Sequence, residues 1–301
     1  MTYNRVLTPR AYMDRLSFDL ANGFRTASNY TVLNDAGGAV TFDAGQKEDL
    51  FDMRPSNFAQ IAHDTKKFYI QIDTGMSSDT VAEANFLAIL GHNFEEASAM
   101  FRLIHDDASA MTSSNSVTAV AAGTGSVAVS GLVNATQSTV TVDSGATTAE
   151  SLDGSETSIE VDDASPFTDQ IGSIISLSGK TERMKITAAD NASSPKTITV
   201  VRNVHGVGSA QTATTDTAIF FNYGDCIQPA NNGWTLITWA NNNTDNQYYR
   251  LEIIDNAGPD SNFASDVKIG SIMLGEYIDF PRTPDLNLGF DIDYDGTKIV
   301  T

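Results

Sequence analysis

Residues 66–75 read KKFYIQIDTG, and the spacing of their apolar side chains decides the class of the fold. Phe68, Ile70 and Ile72 alternate with Tyr69, Gln71 and Asp73, the period of a half-buried β-strand rather than of a helix. The same period recurs on either side. It appears in NYTVLN (29–34), GAVTF (38–42) and ASAMFRLIHDD (97–107), and later in QYYRLEIID (247–255) and SDVKIGSIMLGEYIDF (265–280). In QYYRLEIID, Tyr248, Arg250 and Glu252 alternate with Tyr249, Leu251 and Ile253. Only SSDTVAEANFLAILGHNF (77–94) reads equally as a short helix or a strand. The reading is therefore all-β.

Between these flanks the composition changes. Residues 114–216 are rich in Ser, Thr, Val, Ala, Gly and Asp, with no aromatic before Phe167 and no Lys or Arg between Arg102 and Lys180. STVTVDS (138–144) and TSIEVDDASPF (157–167) each read as an alternating strand running into an acidic turn, and ERMKIT (182–187) and KTITVVRNVHG (196–206) add two more strands. Strict Thr/Val/Ile alternation argues for compact antiparallel structure and against a mucin-like stalk. The expected organisation is a discontinuous, jelly-roll-like β-sandwich of residues 1–113 and 217–301, interrupted by a β-rich insertion of residues 114–216. Long insertions in surface loops cost little closure entropy, which makes such an interruption tolerable.

Charge and composition narrow the function classes. With 38 acidic against 18 basic residues the net charge is −20, a surface that repels phosphate backbones and suits a more basic partner. An apolar share of 41% is enough for a real core. No stretch approaches the ~20 apolar residues that span a bilayer, and no signal peptide is read at the N-terminus, so synthesis in a cytoplasm is expected. The single cysteine, Cys226, excludes an intrachain disulfide and reads as a buried, inert thiol.

Motifs for chemistry are sparse. His63, His92, His105 and His205 form no pair at metal-ligand spacing, and GTGSVAVSG (123–131) lacks the lysine of a phosphate loop. No enzyme activity and no cofactor are expected. In NGWTLITWA (232–240), Trp234 and Trp239 fall on opposite faces of a strand, so one enters the core and the other faces outward. Trp239 and Tyr249 are the candidate ligand-binding residues, because aromatic faces stack on sugar rings. The closing GFDIDYDGTKIVT (289–301) places Asp291, Asp293 and Asp295 in a D-x-D-x-D-G pattern, the first half of a calcium loop. The acid wanted at position 12 would fall at 302, while Asp295-Gly296 is a hairpin signal; an acidic hairpin is preferred, and no metal site is assigned.

EDLFDMRPSNFAQIA (48–62), FYIQIDTG (68–75), ANFLAILGHNFEEASAMFRL (84–103) and YYRLEIID with DVKIGSIMLGEYIDFPRTPDLNLGFDIDYDGTKIVT (248–255, 266–301) together resemble structural proteins of tailed bacteriophages, particularly marine ones. SLDGSETSIEVDDASPF (151–167), IISLSGKTERMKIT (174–187) and TITVVRNVHGVGSA (197–210) are similar to a small β module recurring in phage virion proteins. The resemblance implies a galactose-binding or discoidin-like jelly roll in a non-enzymatic virion protein, tail- or baseplate-associated, assembled in the host cytoplasm. It further implies other virion proteins as partners and a symmetric homo-oligomer. The alternatives are a module binding a host-surface glycan and a capsid decoration protein. Neither nucleic acid nor membrane is an expected partner.

Overall fold

The computed structural model describes residues 10–34, 38–74, 84–106, 109, 129–168, 170–171, 173–204, 210–239, 247–258 and 261–280. It is all-β, with antiparallel sheets and, among the described residues, one seven-residue α-helix. The first third of the chain holds β1 (Arg10–Asp14), α1 (Arg15–Ala21), β2 (Tyr30–Asn34), β3 (Phe42–Ala44), β4 (Ala59–Ile61), β5 (Phe68–Asp73), β6 (Phe86–His92) and β7 (Ala99–Asp106). The middle holds β8 (Val129–Val133), β9 (Ala135–Thr147), β10 (Ser158–Val161), β11 (Ile174–Leu177), β12 (Met184–Asp190) and β13 (Lys196–Val201). The last part holds β14 (Ala218–Pro229), β15 (Gly233–Trp239), β16 (Tyr248–Asp255), β17 (Val267–Ile269) and β18 (Ser271–Asp279).

Two sheets face each other across the larger core. One runs β1-β18-β6-β15-β8, and the other contributes β7-β16-β5-β2. The alternation read in KKFYIQIDTG puts Phe68, Ile70 and Ile72 inside, against Leu251 and Ile253 of β16 and Leu87 and Ile89 of β6. The ambiguous FLAIL stretch is strand β6, central in its sheet. α1 and the 3-10 turn Lys47–Phe51 add Leu16, Leu50 and Phe51 to the same core. Asp14 starts the helix by accepting from the Ser17 amide at 3.2 Å.

The second core belongs to a small closed body. β10-β13-β12-β11-β14 are neighbours in that order, and β9 lies along the other edge of β14. The end of β9 then returns to β10: Thr148 bridges Val161, the Ala149 amide donates to the Glu160 carbonyl at 2.8 Å, and the Asp162 amide to Thr147 at 3.1 Å. Six strands thus close into a barrel whose interior is Ile159, Ile175, Met184, Ile186, Ile198, Val200, Ile219 and Phe221. β-branched aliphatic side chains, with Met184 and Phe221, fill this narrow interior. Closure also removes the barrel's strand edges.

β14 joins the two bodies. Its first half pairs with β11 (Leu177↔Ile219), and its second half meets β7 of the sandwich (Phe101↔Ile227) on the same edge. β8 lies within the 114–216 stretch yet pairs with β15 in the five-stranded sheet. Met100 and Ile254, on the sandwich strands β7 and β16, are part of the barrel's apolar cluster. Their neighbours Arg102 and Glu252 share that face and form an ion pair buried at the junction, where Arg102 Nη1 also donates to the Tyr223 carbonyl at 3.0 Å. Burial works to raise the Glu252 carboxyl, but Arg102, with Lys67, outweighs it and holds it at about 2.

Candidate interaction surface

The side of the five-stranded sheet that faces away from the core is the distinctive surface of the sandwich. Leu87 and Ile89 of β6 point into the core, so Phe86, Ala88 and Leu90 point the other way. The register then fixes what lies beside them. Met273 of β18, Ala88 of β6, Leu236 of β15 and Val133 of β8 stand opposite one another in a single row. Leu90 stands beside Trp234 in the next row. At the β1 end, Tyr12 sits opposite Tyr277 and meets Phe86 edge to face at 5.1 Å.

This face is apolar, buried at Phe86 and Ala88 and open around them: Trp234 is 46% exposed, Val133 41% and Tyr12 39%. Its charges are spent on each other or on the backbone. Arg10 reaches Asp279 through two hydrogen bonds, 2.6 and 2.9 Å, and lies 3.7 Å over the Tyr277 ring. That pair holds the Asp279 carboxyl below its ordinary range. Asp14 is turned into the helix cap. At the far end Gly91 (φ +66°) is the extra residue of a bulge, because Gly233 opposes His92 while Trp234 opposes Leu90. A side chain at Gly91 would stand 2.8 Å from the Pro55 carbonyl oxygen.

The sequence-chosen aromatic residues lie elsewhere. Trp239 is only 5% exposed and Tyr249 3%; both belong to the sandwich core, with ring centroids 6.3 Å apart. Neither presents a face to a sugar. Opposite orientation of the two tryptophans is what the structure has, but the outward indole is that of Trp234. The reason is register: β15 turns Thr235, Ile237 and Trp239 inward, and Ile237 pairs with the core residue Leu87.

His92 is buried, its Nε2 is 3.0 Å from the Thr235 hydroxyl and its ring stacks on Phe94; burial lowers its pKa to about 4. Cys226 is buried in the barrel-side core. Among the described residues no group of three His, Cys, Asp or Glu side chains could hold a metal ion. Asp291, Asp293 and Asp295 lie outside the described residues, as does His205. Among the described residues, no helix is long and apolar enough to cross a membrane.

Inside the barrel, Arg202 and Glu182 form a second buried pair that spacing alone does not announce. The guanidinium donates from Nε and Nη2 to the two Glu182 oxygens at 2.7 Å each. It also reaches the carbonyls of Asp153 and Glu156 at 3.0 Å and of Gln211 at 2.7 Å. Glu182 accepts in turn from the Asn203 and Gln211 amides. Every contact ties one barrel loop to another, so the pair is an internal clamp. No protein family matches this chain, and neither a curated protein nor a solved structure does.

Proposed function

We propose that this chain is a non-enzymatic structural protein of a tailed-bacteriophage virion, associated with the tail or baseplate. It assembles copy to copy through the outer face of its five-stranded sheet and carries the barrel outward. The observation that supports this reading is the cross-strand row Met273–Ala88–Leu236–Val133 with Trp234 and Tyr12 exposed around it. Exposed apolar area of this kind marks interaction sites. A chain of net charge −20 repels its copies over most of its surface. The outer face, with Arg10 and Asp279 neutralising one another, is where two copies can approach. Symmetric assembly then repeats one modest contact many times.

The test has two parts. Sedimentation velocity over a range of concentrations is expected to show self-association, weakened at least about tenfold by Val133→Glu with Trp234→Glu. The thermal midpoint should stay close to wild type, since both positions are exposed. Mass spectrometry and antibody labelling of purified particles should find the chain at a symmetric tail position; a monomer absent from particles would overturn the proposal. The exposed Trp234 indole supports a second reading, a host-glycan module. Saturable sugar binding that is lost in Trp234→Ala, without any self-association, would favour it.

A further inference from the structure

On the helix side of the sandwich lies an open cavity of about 360 Å³, bounded by α1, the loop after it and the turn Lys47–Phe51. That volume is in the range of sites that hold a ligand or an anchoring side chain. Leu20, Ala21, Phe51 and Met53 give it apolar walls. Met53 and Phe24, which follows α1, are both strongly exposed.

The polar side chains around this cavity have unspent hydrogen-bonding capacity. The Arg25 guanidinium lines it; its Nε is buried, without a hydrogen-bond partner and 4.0 Å from Asp19, so that ion pair is long. Tyr30 is a core residue, 3% exposed, with the Lys47 ammonium 5.1 Å over its ring, and among the described residues neither its hydroxyl nor the Glu48 carboxylate makes a hydrogen bond. Asp52 is the contrast: it accepts from the Arg54 amide at 2.7 Å and from Asn57 at 2.6 Å, which holds the turn. Burial first, then the negative field of Glu48 and Asp49, pushes the Tyr30 hydroxyl up to about 12, so it stays a donor at neutral pH.

We infer that this cavity seats a short extended segment of a basic partner protein. An aliphatic side chain of the segment enters between Leu20, Phe51 and Met53. A backbone carbonyl accepts from Arg25 and Tyr30, and a flanking lysine or arginine meets Glu48. A peptide supplies these three chemistries within two or three residues, an apolar group, a carbonyl acceptor and a cationic donor. Charge selects the partner. Glu48, Asp49 and Asp52 outnumber Lys47 around one turn, and the Lys47 ammonium is held by the Ala27 carbonyl at 2.8 Å, so on a chain of net charge −20 a second copy brings like charge and a basic segment the opposite. The inference stands apart from the sheet-face contact, which lies on different strands.

Three capped tripeptides test it on the full chain: acetyl-Lys-Leu-Lys-amide, acetyl-Glu-Leu-Glu-amide and acetyl-Lys-Gly-Lys-amide. The readout is the Met53 methyl signal in methionine-methyl-labelled protein, assigned with Met53→Leu. The Lys-Leu-Lys peptide should move that signal saturably. The Lys-Gly-Lys peptide should bind about tenfold more weakly for want of the apolar anchor. Glu48→Gln should reduce the preference for lysine over glutamate about threefold. Ala21→Trp, at an exposed position, should fill the cavity and abolish the shift. An unmoved Met53 signal, equal binding of all three peptides, or undiminished binding to Ala21→Trp would each overturn the inference. Glu48→Gln decides the charge argument even if the tryptophan variant does not fold.

Discussion

The barrel and the sandwich are both antiparallel and apolar inside, yet they treat strand edges and buried charge differently. The barrel closes on itself at Thr148 and Val161, and its buried pair, Arg202–Glu182, has every contact within its own loops. In the sandwich, β1 and β8 end the five-stranded sheet without a further strand among the described residues. Its buried pair, Arg102–Glu252, faces out of its own core and towards the barrel. The closed body spends its buried pair on its own loops, whereas the sandwich turns its pair towards a neighbouring body and ends a sheet in strands with no further partner among the described residues. That division supports a projecting module carried on an associating one.

The largest expected effect comes from the junction. Arg102→Met leaves the Glu252 carboxylate buried without its partner, and removing one half of a buried pair costs about 3–5 kcal/mol. Arg102→Met with Glu252→Leu should recover most of that loss. Urea denaturation followed by hydrogen exchange in both bodies checks it. A single transition is expected because β14 runs through both, so barrel amides that stay protected while the sandwich melts would break the comparison. The pH dependence has a definite sign. Glu252 is held near 2 against an ordinary 4.5, so its contribution is complete above 4.5 and is lost as pH falls from there towards 2. The double variant should show a shallower loss of stability over that acid window.

Next in size is the pair of tryptophans. Trp239→Ala empties the sandwich core and should cost about 3–5 kcal/mol, while Trp234→Ala, on the same strand but facing out, should cost under about 1 kcal/mol. Equal costs in thermal denaturation would mean that the outer face is covered in solution. Arg202→Lys follows at about 2 kcal/mol, because an ammonium cannot reproduce the fork to Glu182 together with the carbonyls of Asp153, Glu156 and Gln211. Faster exchange confined to the amides of residues 153–156, Asn203 and Gln211 would show the clamp acting locally.

How much of this was legible depends on whether the signal is local. Alternation in KKFYIQIDTG and KTITVV marks β5 and β13, because each buries one face, and in QYYRLEIID it marks β16, whose second face is also buried towards the barrel. β14 escaped: in AIFFNYGDCIQP, Ile219, Phe221 and Tyr223 alternate, but Phe220 stands among them and the register shifts between Asn222 and Gly224, after which Cys226 and Ile227 enter different cores. The seven residues of α1 are too few to establish a helical period. Parity set the tryptophans apart, but which one turns inward follows from pairing with β6, a long-range fact. Glu182 and Arg202 both stood in stretches that drew notice, ERMKIT and VVRNVHG, yet nothing local says that they touch. The outer face is invisible for the same reason, since its row is assembled from four strands far apart in the chain.

The smallest effect tests the comparison most finely. Ile198→Val removes one methyl from the barrel, and Ile253→Val removes one from the sandwich; both isoleucines are fully buried. Such changes cost about 0.5–1.5 kcal/mol, and the spread reflects how well the site can close over the void. In the barrel, β13 is held between β10 and β12 and the wall is a closed ring, so the strands cannot move together without disturbing the Thr148–Val161 closure. In the sandwich, two sheets meet across side chains alone and can shift by a fraction of an ångström. Ile198→Val should therefore lie near the upper end of that range and Ile253→Val near the lower, as read from paired urea titrations. The reverse order would mean that closure does not stiffen the barrel, and that its side chains already leave the room into which the neighbours relax.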